Sequence, residues 1–275
     1  MKKVIIALDG DHFPQGAFEF ANYINRQTPI LLAGVFLSPV DYSKLRSFTG
    51  IEGISMLPDL LMRNEDDKVV NKNVHSFQDA CATRGIQCRV HKDNDMMAVA
   101  SLVEETRFAD VLLVSSELFF KNIQNTQPNF YLEEVLKKSE CPVMLIPENF
   151  TEPQQTILAY DGSESSVFAI KMFAYVFPAL AKKSTTLLTM STHEDEEATD
   201  NHMISELLAG HYPDMKVQKL HMAKRKQFSI WVADQPDSFI IMGAFSRGLF
   251  SELFKKSFAT DVIHDIKMPI FICHK

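Results

Sequence analysis

Two stretches in the second half of the chain carry residue types that can hold a small ligand: Asp161-Gly-Ser-Glu-Ser-Ser166 and Gly243-Ala-Phe-Ser-Arg-Gly-Leu249. An aspartate leaving a strand can accept hydrogen bonds from a ribose or a purine. Serines at the start of the following helix either cap it or leave backbone N–H groups for a phosphate. Capping alone would account for Ser163 and Ser165, and both readings stay open at the level of sequence.

Other chemistries fail on their own requirements. Gly243 to Gly248 has the outer spacing of a Walker A loop, but Leu249 and Phe250 stand where the Lys and Ser/Thr must be. No dinucleotide GxGxxG follows either candidate first strand. His193-Glu-Asp-Glu-Glu197 with Asp200 and His202 gathers potential metal ligands, yet in a polar stretch these read as solvated groups, and no structural metal is expected. His91 and His221 read as core or edge histidines. No Ser, His and acid set or carboxylate pair is indicated, so no catalytic residue is assigned.

The elements that must position the two stretches are legible from periodicity. Apolar or β-branched runs at 4–8, 30–37, 88–91, 111–115 and 143–146 predict strands, and 156–160, 185–190, 216–221, 239–242 and 270–273 predict five more. Helical stretches with apolar residues at i, i+3, i+4 and i+7, such as Ala17, Phe20, Ala21 and Ile24, lie between them. Strand, helix and strand in succession mean an α/β fold with a parallel sheet covered on both faces. In such sheets ligands bind beyond the carboxyl ends of the strands, where the ends of the first and fourth strands meet.

The second half also repeats the first. Lys3-Val-Ile-Ile-Ala-Leu-Asp-Gly-Asp11 is answered by Thr156-Ile-Leu-Ala-Tyr-Asp-Gly-Ser163, Ala109-Asp-Val-Leu-Leu-Val-Ser115 by Pro236-Asp-Ser-Phe-Ile-Ile-Met242, and Cys141-Pro-Val-Met-Leu-Ile146 by Met268-Pro-Ile-Phe-Ile-Cys273. The expected organisation is two domains, 1–147 and 154–275, joined by the polar stretch Glu148-Asn-Phe-Thr-Glu-Pro-Gln-Gln155. The first copy carries a surplus over 38–68, interrupted by Gly50, Gly53 and Pro58, that suits an extra interdomain contact better than a lid.

Composition bounds the partners. At 275 residues and 46% hydrophobic the chain can build two cores, and a net charge of -7 argues against nucleic acid, with Lys224-Arg-Lys226 an isolated basic triplet at a solvated helix start. Cys81, Cys88, Cys141 and Cys273 show neither CxxC spacing nor disulfide density, so they are expected as core thiols in a reducing compartment, the cytoplasm. The apolar run after Met-Lys-Lys is broken by Asp9, too short for a signal-peptide core or a membrane span.

On these motifs, their order and their duplication, the chain resembles the universal stress protein family in its tandem form. The resemblance implies a flavodoxin-like (HUP-type) five-stranded parallel sheet in each half, strand order 3-2-1-4-5, and an intrachain pseudo-dimer in which 143–146 lies beside 270–273. It implies a non-catalytic stress-response protein. Members that bind ATP carry, after the fourth strand, a glycine, two residues, a second glycine, nine residues, and a third glycine followed by Ser or Thr. Here those positions are Gly243, Ser246, Lys256 and Ser257, so one glycine of three survives. The implied ligand set is Asp161, Gly162 and Ser163 with Gly243, Ser246, Arg247, Lys256 and Ser257, and the ligand ATP, AMP or a related small molecule.

The first copy departs further, with Ser116, Phe119 and Phe130 at the matching positions, and Phe13 and Pro14 after Asp9 and Gly10. Three functions stay open: an adenine-nucleotide sensor in the second half, an interaction module that binds protein partners and no nucleotide, and a slow ATP hydrolase, which lacks a candidate base. Further self-association is left open.

Overall fold

The computed structural model describes residues 1–8, 12–37, 66–93, 98–116, 135–191, 202–221, 230–232, 234–235, 237–243 and 268–273. All ten expected strands are present: β1 Lys2–Leu8, β2 Ile30–Leu37, β3 Gln87–Asp93, β4 Val111–Ser115, β5 Val143–Ile146, β6 Gln155–Tyr160, β7 Ser184–Ser191, β8 Met215–His221, β9 Ser238–Gly243 and β10 Ile270–Cys273. The long helices are α1 Gln15–Gln27, α2 Asp66–Thr83, α3 Ala98–Thr106, α4 Glu164–Val176 and α5 His202–His211. Residues 38–65 of the surplus segment and the basic triplet at 224–226 lie outside the described residues, and 66–68 open α2.

The strands form one ten-stranded sheet in the order β3-β2-β1-β4-β5-β10-β9-β6-β7-β8. The first five follow 3-2-1-4-5, the last five repeat it from the other end, and every pairing is parallel except one. At the centre β5 and β10 run antiparallel, with Phe271 opposite Met144. This pairing matches the resemblance, and it gives each strand a neighbour where an open edge would otherwise stand.

Strands buried on both faces need apolar residues at every position, and β4, β5, β9 and β10 are buried throughout. Alternation assigns their side chains to two layers. Val4, Ile6 and Leu8 join α1, α2, α4 and α5 on one face, whereas Ile5 and Ala7 join Leu102, Val135 and Val232 on the other. The first layer is continuous across both halves. Phe20 of α1 packs against Phe150, Phe177 and Phe239 with ring centroids 5.6, 5.7 and 5.8 Å away.

The stretch expected to be a linker is therefore anchored. Phe150 is packed into that aromatic cluster, Arg26 pairs with Glu152, and Gln154 N–H donates to Asp237 O at 2.7 Å. The repeated Asp110 and Asp237 tie down the starts of β1 and β6 respectively. Asp110 accepts from Lys3 N–H through its carboxylate at 2.8 Å; Asp237 does it through its carbonyl, with φ at +54°.

Candidate functional site

The chain leaves β6 at Tyr160 and turns at once into α4. The Asp161 carboxylate accepts the Ser163 backbone N–H at 3.0 Å, and Gly162 takes φ +76°, a left-handed conformation that favours glycine. Ser163 is the N-cap: its Oγ accepts from Ser166 N–H at 3.1 Å, while the Ser166 hydroxyl donates to the Ser163 carbonyl at 2.9 Å. Asp161, Gly162 and Ser163 thus form one local unit that sets the head of the helix, so capping is a role Ser163 does fill.

Gly243 ends β9 against that same helix head. A Cβ there would lie 2.4 Å from Ser165 C and 2.6 Å from Ser166 N. The first stretch and Gly243, the opening residue of the second, do meet beyond the carboxyl ends of β6 and β9, and residues 244–249 lie outside the described residues. The glycine, however, is demanded by the contact between strand and helix, whatever else approaches it. Ser246, Arg247, Lys256 and Ser257 lie outside the described residues.

The first half solves the same geometry differently. Ser116, in the place of Gly243, is buried and its hydroxyl donates to Ile146 O at 3.3 Å. The small residue is now on the helix: a Cβ on Gly16 would lie 1.9 Å from Pro147 O. Pro14 caps α1 without a side-chain hydrogen bond, and the Gln15 N–H instead donates to the Glu148 carboxylate at 3.1 Å. The Ser115 hydroxyl donates to the other oxygen of Glu148. Glu148, read from sequence as the first linker residue, is a functional-end residue that sequence reasoning missed. The nearest signal was its place two residues past β5; two residues past β10 stands Lys275. Asp9, Gly10, Phe119 and Phe130 lie outside the described residues.

His91 sits on edge strand β3, and its Nδ1 lies 2.6 Å from Glu105 Oε2. Among the described residues no group of three His, Cys, Asp or Glu is placed to hold a metal, and residues 193–200 lie outside them. Burial pushes the Cys141 thiol up to about 12. A small apolar pocket lined by Val4, Ile24, Val176 and Phe177 lies by the first residues of β1 and β2 and the last turn of α4, and Asp161 does not line it. Among the described residues no helix is long and apolar enough to cross a membrane.

With strand order, central pairing and helix heads in place, the fold is that of the universal stress proteins. A universal stress protein from Archaeoglobus fulgidus DSM 4304 is similar over 100% of this chain and 96% of its own, with a TM-score of 0.67 and 14% identity. A protein of unknown function from Pseudomonas aeruginosa PAO1 is similar over 100% and 92%, at 0.56 and 10% identity. A Pseudomonas aeruginosa UCBPP-PA14 protein provisionally described as a universal stress protein is similar over 100% and 93%, also at 0.56 and 10%. No protein-family model and no curated protein sequence matches the chain.

Proposed function

We propose that this chain is a non-catalytic, cytoplasmic stress-response protein of the universal stress family, whose second half receives an adenine nucleotide, ATP or AMP, or a related small ligand. The observation that carries the reading is the convergence of the Asp161-Gly162-Ser163 turn and the end of β9 at the head of α4. That place lies beyond the carboxyl ends of two neighbouring parallel strands, β6 and β9, where α/β sheets bind ligands. Asp161 would hold the base or ribose, and Gly243, Ser246, Arg247, Lys256 and Ser257 would surround the phosphates. The first half, 1–147, would be the structural partner of 154–275 in an intrachain pseudo-dimer, its helix head already supplied with a carboxylate by Glu148.

A second reading, a module that works through protein partners and binds no nucleotide, is favoured by Gly243. Its steric contact with Ser165 and Ser166 accounts for that glycine without any phosphate. Calorimetric titration of ATP, ADP and AMP, with and without Mg²⁺, separates the two. Micromolar binding to the wild type that is lost in Asp161→Ala supports the nucleotide receptor, with Asp161→Asn retained as the variant closest in shape. Absence of heat up to millimolar nucleotide overturns it and leaves the partner module.

A further inference from the structure

A carboxylate of the chain itself is seated at the head of α1. Glu148 reaches back across 133 residues, where one of its oxygens accepts the Gln15 backbone N–H at 3.1 Å and the other accepts the Ser115 hydroxyl. Ser115 ends β4 and is 2% exposed, so this second donor is built into the fold. The helix brings no anion of its own. Pro14 caps it without a side-chain hydrogen bond and its first turn holds no acidic residue, whereas α4 has Ser163 as its cap and Glu164 in its first turn.

We infer that Glu148 is a tethered internal ligand, which fills an oxyanion seat made by the Gln15 N–H and the Ser115 hydroxyl and so closes the first half to small external oxyanions, carboxylate or phosphate. Two donors from two different elements, a helix head and a strand end, meet the two oxygens of one carboxylate. The positive end of the helix favours the same charge. An oxyanion from solution would find the matching donors only where Glu148 has left them.

The surroundings hold the tether on both sides. Before Glu148, Gly16 allows the chain to pass against the helix, since a Cβ there would lie 1.9 Å from Pro147 O. After it, Phe150 packs on Phe20 at 5.6 Å between centroids and Glu152 pairs with Arg26. A group held in this way competes at an effective concentration above the millimolar range of a short flexible linker. A dilute external oxyanion does not displace it. The contact acts in the first half alone, independently of what the second half receives.

Thermal melts of the full chain in sodium chloride, phosphate and acetate at matched ionic strength test the seat. Glu148→Ala should melt higher in phosphate or acetate than in chloride, by about 3 °C more than the wild type does, the effect of a ligand at about ten times its Kd on a chain of this size. Glu148→Gln, which keeps the seat filled, should respond as the wild type. Ser115→Ala added to Glu148→Ala should abolish the extra gain, because one of the two donors is gone. An oxyanion bound in the second half raises all four proteins alike, so the comparison stands whether or not that half takes a nucleotide. Equal responses of the wild type and Glu148→Ala, or an extra gain that survives Ser115→Ala, would each overturn the inference.

Discussion

The Gln15 backbone N–H at the head of α1 donates to the Glu148 carboxylate at 3.1 Å, and the Ser115 hydroxyl donates to the same group. A helix start concentrates unpaired N–H groups and the positive end of the helix dipole, so it favours an anion. In the first half that anion is a side chain delivered from just past β5. In the second half the corresponding helix head is capped by its own Ser163.

Glu148→Ala should therefore destabilise the protein by about 1 kcal/mol, the scale of a lost helix cap with a favourable charge. Glu148→Gln, which keeps an acceptor and loses the charge, should fall between. Urea midpoints of the three proteins check this, and an unchanged midpoint for Glu148→Ala would show that water replaces the carboxylate at no cost.

Gly243→Ala should lower stability by about 2–3 kcal/mol with no ligand present, because overpacking against helix backbone has no flexible side chain to yield. The added Cβ would stand 2.4 Å from Ser165 C. Gly16→Ala, facing Pro147 O at 1.9 Å, should behave alike in the first half. Thermal melts decide the matter: a Gly243→Ala protein that melts with the wild type would return the glycine to a purely ligand-binding role.

Alkaline pH should weaken the fold before any site chemistry is considered. Cys141 is pushed from 9.0 up to about 12 by burial, and burial likewise raises Tyr212, whose hydroxyl donates to Ile170 O at 2.7 Å. Unfolded thiol and phenol release their protons first, so the unfolded state holds fewer protons and stability falls as pH rises. The contribution is complete below about pH 9 and is lost at about 1.4 kcal/mol per pH unit for each ionising group. Denaturation midpoints measured from about pH 8 to about pH 10.5 should decline in the wild type and decline less in a Cys141→Ala/Tyr212→Phe double variant. Parallel slopes would assign the alkaline limb to other groups.

What the sequence determined by itself was everything local or periodic. The ten strands stand where β-branched and apolar runs placed them, and β4, β5, β9 and β10 are almost wholly apolar because they are buried on both faces. The Asp161-Gly162-Ser163 turn was equally legible, since its hydrogen bonds close over two and three residues. Strand order came with the family resemblance, not from any local pattern. Only the tertiary structure decided the roles that depend on distant approach. Glu148 read as linker because its partner Gln15 is 133 residues away, and Gly243 read as a phosphate glycine because the helix head it touches is invisible along the chain.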